Sequence, residues 1–363
     1  MEEGADVIDV TVRSIRVPHS IDAPEIVDLE AVRQLRNAHA AHVHGSSAYD
    51  LTLPQVLAAW QDQSDRPVIG RLAERNGLIL GTASVDHLPD AQSRTAGVMV
   101  RVHAQHRRQA IGTRLLREAE TIAAELGRSV LQSWTEHRHS GGAGLRASTG
   151  FGSVPRDATA MFARRRGFRL EQVYRQSTLD LRSTALHTDA LCARARTHAG
   201  DDYRYLFWLS PTPAALAPAL ADLKSRMATD APSGNVDVED GEWDAERIAR
   251  IEAHDAVGGV RRLIGAVRHE PSGVLVALNE LNVSPADPRI AHQNDTLVRA
   301  EHRGRRLGTW VKCATLARLR ELFPQVTHVE TYNAEENEPM LVINEAIGFT
   351  PVSCAGEWQK RLS

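Results

Sequence analysis

The segment 298-VRAEHRGRRLGTWVKCATLARL-319 decides the fold of this chain. The run from Asp295 to Val298 predicts the end of a strand, and Gly304 and Gly308 lie in the cationic turn that follows it. The pattern beyond the turn predicts a helix. Because the first turn of a helix carries unpaired N–H groups and a partial positive charge, such a loop is suited to hold a phosphate or pyrophosphate.

The same pattern occurs a second time, earlier in the chain. Val102 and Val298 are 298 − 102 = 196 positions apart, and Gly112 and Gly308 have the same spacing. The offset also aligns the preceding hairpins, which extends the match well beyond a single turn. A duplicated unit of this size predicts a pair of domains rather than a solenoid, and the chain is long enough for two cores.

The repeated loop resembles the acetyl-CoA pyrophosphate loop of the GNAT superfamily of N-acetyltransferases, V-x-x-x-x-[QR]-x-x-G-x-[GA]. Arg306 stands where the family usually has its first glycine. The resemblance implies that both loops are candidates to bind the cofactor, and whether one or both do so stays open. The residues concerned are Val298, Arg303, Gly304, Arg305, Arg306, Gly308 and Thr309 in the second copy, and Val102, Arg107, Arg108, Gln109, Ala110, Gly112 and Thr113 in the first.

A second stretch, TYNAEENEPMLVINEAIGF, resembles the GNAT signature N-x-x-A-x-x-x-Y-x-x-x-G-F. Asn337 is a good candidate for a helix N-cap, and the resemblance implies that it contacts the cofactor. Asn344 occupies the position of the tyrosine that often protonates the departing thiolate, so the usual general acid is missing. The first copy has Arg156 and Ala163 at the two corresponding positions.

Attack of an amine on a thioester requires a group that removes a proton from an ammonium whose pKa is about 10. Glu280 and Asp295 are the carboxylates of the second copy nearest to the predicted site, and His292 is an alternative. The first copy has Ser84 and Met99 at the positions of the two carboxylates. This asymmetry predicts that the second copy carries the chemistry and that Glu280 and Asp295 are its catalytic residues.

Composition and charge are those of an ordinary globular protein. The formal charge of −3 gives no field that would favour nucleic acid or an acidic membrane. Three cysteines without C-x-x-C spacing, and the absence of a long apolar run, lead us to expect a cytoplasmic protein. The neighbouring His39, His42 and His44 lack a carboxylate or cysteine that would complete a ligand set, so we expect no metal.

We therefore expect a mixed α/β (α+β) chain of two consecutive GNAT-like domains, each a mostly antiparallel mixed sheet flanked by helices, similar in layout to the mycothiol synthases. The predicted domains are residues 1–183 and 201–363, with a linker at 184–200. The resemblance implies an N-acyltransferase that uses acetyl-CoA or another acyl thioester as co-substrate and a small-molecule amine as acceptor.

Two alternatives stay open. The first keeps the fold but takes the acyl group from an acyl carrier protein or an aminoacyl-tRNA, which is the one role for nucleic acid that we consider. The second is a non-catalytic protein that binds acyl-CoA.

Overall fold

The computed structural model describes residues 10–138, 144–227 and 232–362. The chain packs as two compact units: unit 1 combines residues up to Trp134 with those from Gln359 onward, and unit 2 runs from Thr135 to Trp358. Each unit has a sheet flanked by helices, which confirms the predicted mixed α/β fold. Within the described ranges, no helix is long and apolar enough to cross a membrane.

Unit 1 contains the first five strands and three helices. The strands are β1 (Thr11–Ser14), β2 (Val68–Arg75), β3 (Leu78–His87), β4 (Thr95–Val102) and the start of β5 (Val130–Arg138). The helices are α1 (Ile26–His44), α2 (Leu53–Gln61) and α3 (Ile111–Glu125). The strands lie in the order β1-β2-β3-β4-β5, and neighbours are antiparallel except the parallel pair β4 and β5.

Unit 2 contains the remaining elements. Its strands are β6 (Leu145–Arg146), β7 (Ser153–Val154), β8 (Arg169–Asp180), β9 (Tyr203–Leu209), β10 (Arg261–His269), β11 (Val274–Val283), β12 (Ile290–Val298), β13 (His328–Ala334) and most of β14 (Thr350–Arg361). Its helices are α4 (Ala158–Arg165), α5 (Ala185–Ala199), α6 (Ala217–Ser225), α7 (Ala245–Val257), α8 (Leu307–Leu322) and α9 (Glu338–Ile347). The large sheet has the order β14-β8-β13-β12-β11-β10-β9, with β12 and β13 parallel.

The packing units do not follow the predicted domain boundaries, whose outermost residues, 1–9 and 363, lie outside the described ranges. Strand β8, the last strand of the first repeat, pairs with β13 inside unit 2. In unit 1, the Leu362 N–H donates to the Ser129 carbonyl at 2.8 Å, and Lys360 Nζ donates to Glu120 at 2.6 Å. Strand β8 of the first repeat thus lies in unit 2, and the end of β14, from Gln359, lies in unit 1.

The segment predicted to be a linker, 184–200, is mostly the helix α5 of unit 2. Ala195 and Ala199 of this helix are buried in one apolar cluster with Trp310 and Val311 of α8. Small side chains on α5 permit this close packing. The segment therefore contributes to a core and is more than a connection.

Helix α8 carries a lysine on its buried face. The Lys312 side chain has no exposed surface, and its Nζ lies 3.8 Å from Met340 Sδ and 5.6 Å from the centre of the Phe349 ring. Burial lowers the pKa of Lys312 to about 7. The first repeat has the buried Leu116 at the aligned position, so an apolar residue suits this place in the fold.

Helix α8 also approaches strand β10 closely. A Cβ atom at Gly265 would lie 2.0 Å from Thr315 Oγ1 and 2.9 Å from the Tyr205 hydroxyl. A larger residue at Gly265 would therefore displace the Thr315 side chain of α8 or the Tyr205 ring.

We expect Lys312→Leu to stabilise the protein and to reduce the pH dependence of its stability. The folded protein releases the lysine proton near pH 7, whereas the unfolded chain keeps it up to about pH 10.4. Between these values the unfolded state binds more protons, so wild-type stability rises with pH. Since one pKa unit corresponds to about 1.4 kcal/mol, the gain at neutral pH is on the order of a few kcal/mol.

Denaturant midpoints of wild type and variant, measured at several pH values from about 6 to about 10, test this prediction. The reciprocal Leu116→Lys variant is the matched control and should lose stability at neutral pH. Equal midpoints and equal slopes for wild type and Lys312→Leu would show that the lysine is not buried.

We expect Gly265→Ala to destabilise the protein by about 1–3 kcal/mol, because the added methyl group overpacks the contact with α8. Thr315→Ala in the same chain removes the hydroxyl that the methyl group meets and should recover part of the loss. Thermal unfolding of the two single variants and the double variant measures this coupling. Additive effects would contradict the contact.

Candidate functional site

The two anion loops have the same backbone conformation. A single turn of 3-10 helix follows the strand in each repeat, and two residues with positive φ follow that turn. These are Arg108 (φ 65°) and Ala110 (φ 61°) in the first repeat, and Gly304 (φ 78°) and Arg306 (φ 57°) in the second. The family position that usually holds glycine is therefore left-handed in both repeats. Ala110 and Arg306 each adopt it at a cost of about 1–2 kcal/mol.

An arginine of each loop folds back on the strand that precedes it. Arg303 Nε donates to the Val298 carbonyl at 3.2 Å, and Arg107 Nε donates to the Val102 carbonyl at 3.3 Å. Both guanidinium groups remain exposed. The two loops thus agree in this side-chain contact as well as in sequence.

Other predicted loop side chains contact neighbours within their own unit. The Arg305 guanidinium lies 5.8 Å from the centre of the Tyr203 ring in unit 2. In unit 1, Gln109 Oε1 accepts a hydrogen bond from Arg75 at 3.3 Å. The second loop therefore has several arginine side chains next to the start of a helix.

The first turns of the two helices hold the remaining loop residues, Gly112 and Thr113 in α3 and Gly308 and Thr309 in α8. A Cβ atom at Gly308 would lie 3.1 Å from Ile343 Cδ1 of α9 and 3.5 Å from Val298 Cγ2. Glycine keeps this turn narrow between the strand and α9. The unpaired N–H groups of the turn and the nearby arginines make it a candidate site for a phosphate or pyrophosphate.

Helix α9 begins at the predicted asparagine. Asn337 Oδ1 caps the helix by accepting from the Met340 N–H at 3.3 Å, so contact with a cofactor stays a prediction. Asn344 is buried, and its amide donates to Asn333 at 2.6 Å. In the first repeat Asp157 caps α4, one residue later than the sequence alignment indicates.

The two predicted carboxylates lie on neighbouring strands at a β-bulge. Between Gln293 and Thr296 on β12, the two residues Asn294 and Asp295 face the single residue Glu280 on β11. Such a bulge bends a strand and redirects its side chains, and bulges are common next to active sites. The regular register of the pairs from Ala277 with Val298 to Asn279 with Thr296 would itself set Glu280 opposite Asp295, and the bulge adds Asn294 at this point.

The first repeat has no bulge at this point. Ser84 pairs with Met99 in a ladder that runs in regular register from Gly81 to His87. The difference between the repeats therefore includes the backbone as well as the side chains.

Strands β12 and β13 separate beyond the bulge. Their parallel pairing ends at Gln293 and Thr331. Asp295 on one strand and Tyr332 on the other then line a cavity of about 490 Å³. His292, the sequence alternative to the carboxylates, lies one pair earlier, between Asn282 and Glu330.

A lysine of helix α6 joins the two carboxylates. Lys224 Nζ donates to Glu280 Oε2 at 2.8 Å and to Asp295 Oδ2 at 2.7 Å. Arg262 donates to the same Glu280 oxygen at 3.1 Å and to Asp255 at 2.7 Å. The side chains of Lys224 and Glu280 are 6% and 1% exposed, so this charge network is largely removed from water.

The network keeps its cations charged at neutral pH. Burial by itself lowers the pKa of Lys224, but Glu280 and Asp295 together raise it by more than burial lowers it. The pKa therefore lies above its ordinary value. The pKa of Arg262 is also raised, because Glu280 and Asp255 outweigh the effect of burial. The lysine is consequently an ammonium in the site and does not act as a base.

Sequence reasoning missed several residues of this cavity. Lys224 and Arg262 supply its cations, and Trp243 and Tyr332 supply aromatic wall. The one available signal was a lysine, Lys224, at the end of the apolar helical run 216–224, where a charged residue needs a buried partner.

Comparison with known proteins identifies the family of one repeat. Residues 29–143 match the model of the acetyltransferase (GNAT) family. No curated protein sequence matches the chain.

Solved structures show the same fold over the full length. A tandem GNAT protein from the clavulanic acid biosynthesis pathway has a TM-score of 0.72 and 23% identity, and the match covers 97% of this chain and 98% of that one. A GCN5-related N-acetyltransferase from Sphaerobacter thermophilus has a TM-score of 0.58 and 15% identity, with 97% and 95% covered.

A glucosamine N-acetyltransferase region of a fungal multi-domain GH3 β-N-acetylglucosaminidase has a TM-score of 0.63 and 15% identity, and the match covers 99% of this chain and 39% of that one. Such identities show the fold alone. Residues 29–143 therefore match the acetyltransferase (GNAT) family model, and the chain as a whole has the tandem GNAT fold.

Proposed function

We propose that the protein is an N-acyltransferase that moves an acetyl or other acyl group from a CoA thioester to an amine of a small molecule, with the chemistry in the second repeat. One observation carries this proposal. Glu280 and Asp295 line a cavity at the bulge in β12, where β12 and β13 separate, on the strand that leads into the anion loop.

The reaction needs a neutral amine and a polarised carbonyl. The amine nitrogen attacks the thioester carbon, a C–N bond forms, the C–S bond breaks, and the nitrogen loses a proton. We assign removal of that proton to Asp295, directly or through water, because its side chain is one-third exposed. Backbone N–H groups of β12 beyond Gln293, released from pairing with β13, are placed to stabilise the oxyanion.

Glu280 has a different part in this proposal. Its Oε2 already accepts from Lys224 and Arg262, and a carboxylate between two cations has little affinity for a proton. It therefore sets the charge of the cavity and holds Lys224 against Asp295.

The departing thiolate must gain a proton, and Asn344 has no acidic proton to give. We assign this step to Tyr332, whose side chain lines the cavity and whose hydroxyl is buried there. A phenol with an ordinary pKa of about 10 can protonate a thiolate of similar basicity.

We expect the purified protein to bind acetyl-CoA at a site that Gly308→Val abolishes, because the larger side chain would collide with Ile343 and close the turn. The same substitution at Gly112 is the matched control and should leave that site intact. Calorimetric titration measures the stoichiometry. No heat with acetyl-CoA would exclude it as the donor and direct the search to carrier-protein thioesters and aminoacyl-tRNA.

We expect Asp295→Asn with Glu280→Gln to lower kcat for amine acylation by about 100-fold or more, which is the usual contribution of a positioned base. Release of free thiol measures turnover, and retained acetyl-CoA binding shows that the variant is folded. Binding without turnover by the wild type across a broad amine panel would instead make the protein a sensor of acyl-CoA.

We expect Tyr332→Phe to lower kcat while leaving acetyl-CoA affinity unchanged, because it removes the proton donor and keeps the ring. Using an acyl donor whose leaving group is less basic should restore much of the loss. A variant equally slow with both donors would place Tyr332 in binding rather than in protonation of the thiolate.

A further inference from the structure

Two buried oxygen atoms in the cavity lack donors. Glu280 Oε1 and Gln293 Oε1 have no hydrogen-bond partner among the described residues, and both side chains line the cavity. Their residues are 1% and 6% exposed. Buried acceptors in native proteins are almost always paired, so these two oxygens indicate a missing donor.

The cations of the cavity are already committed to the protein. Arg262 donates to Asp255 through Nε at 2.9 Å and through a terminal nitrogen at 2.7 Å, and it also donates to Glu280. Lys224 donates to Glu280 and Asp295. Three carboxylates of the protein, Glu280, Asp295 and Asp255, therefore already balance the charge of these two cations.

The net charge of the cavity wall also disfavours a ligand carboxylate. The cavity wall holds three carboxylates, Glu252, Glu280 and Asp295, and two cations, Lys224 and Arg262, which leaves a net charge of −1. A cationic group is favoured in such a site, and an anionic group is repelled.

Part of the rest of the wall is apolar. Leu220, Ile248 and Ile251 lie there together with the ring of Trp243. Lys224 Nζ lies 4.8 Å from the centre of that ring, so the aromatic surface is shared with the ion network. The cavity thus has one end that accepts hydrogen bonds and a body that suits hydrocarbon or aromatic groups.

We propose that the acceptor is a primary amine without a carboxylate beside its nitrogen, and that its N–H groups donate to Glu280 Oε1 and Gln293 Oε1. This inference rests on the proposed function for the identity of the site. α-Amino acids are excluded because their carboxylate would add a negative charge to a cavity wall whose net charge is already −1. Gln293 recognises the amine, and the charges of Lys224 and Arg262 are already balanced by carboxylates of the protein.

Matched pairs of ligands test this selectivity. Phenethylamine and phenylalanine, tyramine and tyrosine, and cadaverine and lysine each differ by one carboxylate. Calorimetry in the presence of CoA measures binding, and thiol release from acetyl-CoA measures turnover. We expect the decarboxylated member of at least one pair to bind at least about tenfold more tightly than its amino acid, as the loss of one buried charge interaction would give.

Gln293→Met keeps the length of the side chain and removes its oxygen. We expect it to weaken amine binding about tenfold while acetyl-CoA binding is unchanged. Glu270→Gln is the control, because Glu270 is exposed and pairs with Arg268 at the surface.

The outcomes separate this inference from the proposed function. Acylation of amino acids at least as well as of their amines would overturn the inference and leave the acyltransferase in place. Selective binding of amines without acylation would support the inference and remove the catalytic function. Binding of no member of the panel, or an unchanged affinity in Gln293→Met, would overturn the inference.

Discussion

The ammonium of Lys224 is the interaction on which the second site depends. It connects helix α6 to strands β11 and β12 through Glu280 and Asp295, two carboxylates that would otherwise repel each other at close range. Removing both carboxylates from water is costly, and only a buried counter-charge with good geometry offsets that cost. Arg262 and Asp255 extend the network, because Arg262 forms ion pairs with both Asp255 and Glu280. The lysine therefore organises the cavity while remaining chemically inert.

The two repeats show which part of the architecture was kept and which part differs. Their anion loops agree in backbone angles and in the contact between an arginine and the end of the strand. Their central strands differ, since only the second repeat has the bulge and the carboxylates. A loop suited to an acyl donor is thus present in both repeats, whereas the carboxylates suited to proton transfer are present in one repeat.

Sequence reasoning reached the loops and the two carboxylates because these depend on local patterns. Glycines, arginines and a 196-residue offset are visible in the letters alone, and the offset also paired Glu280 and Asp295 with Ser84 and Met99. The bulge was not visible, because the length of a strand does not reveal where two residues face one. Lys224 was not visible either: it lies 56 and 71 positions from its two partners, and only the packing of α6 brings them together.

The position of the end of β14 in unit 1 has a consequence for how the protein is made. Gln359 Oε1 accepts from Gln132 Nε2 in unit 1, although the two residues are 227 positions apart. At a synthesis rate of about 5–20 residues per second, the ribosome needs roughly 10 to 45 s to cover that interval. Unit 1 therefore waits, with an incomplete edge, while the whole of unit 2 emerges. Chaperone demand during translation should accordingly be concentrated on the half of the chain that is made first.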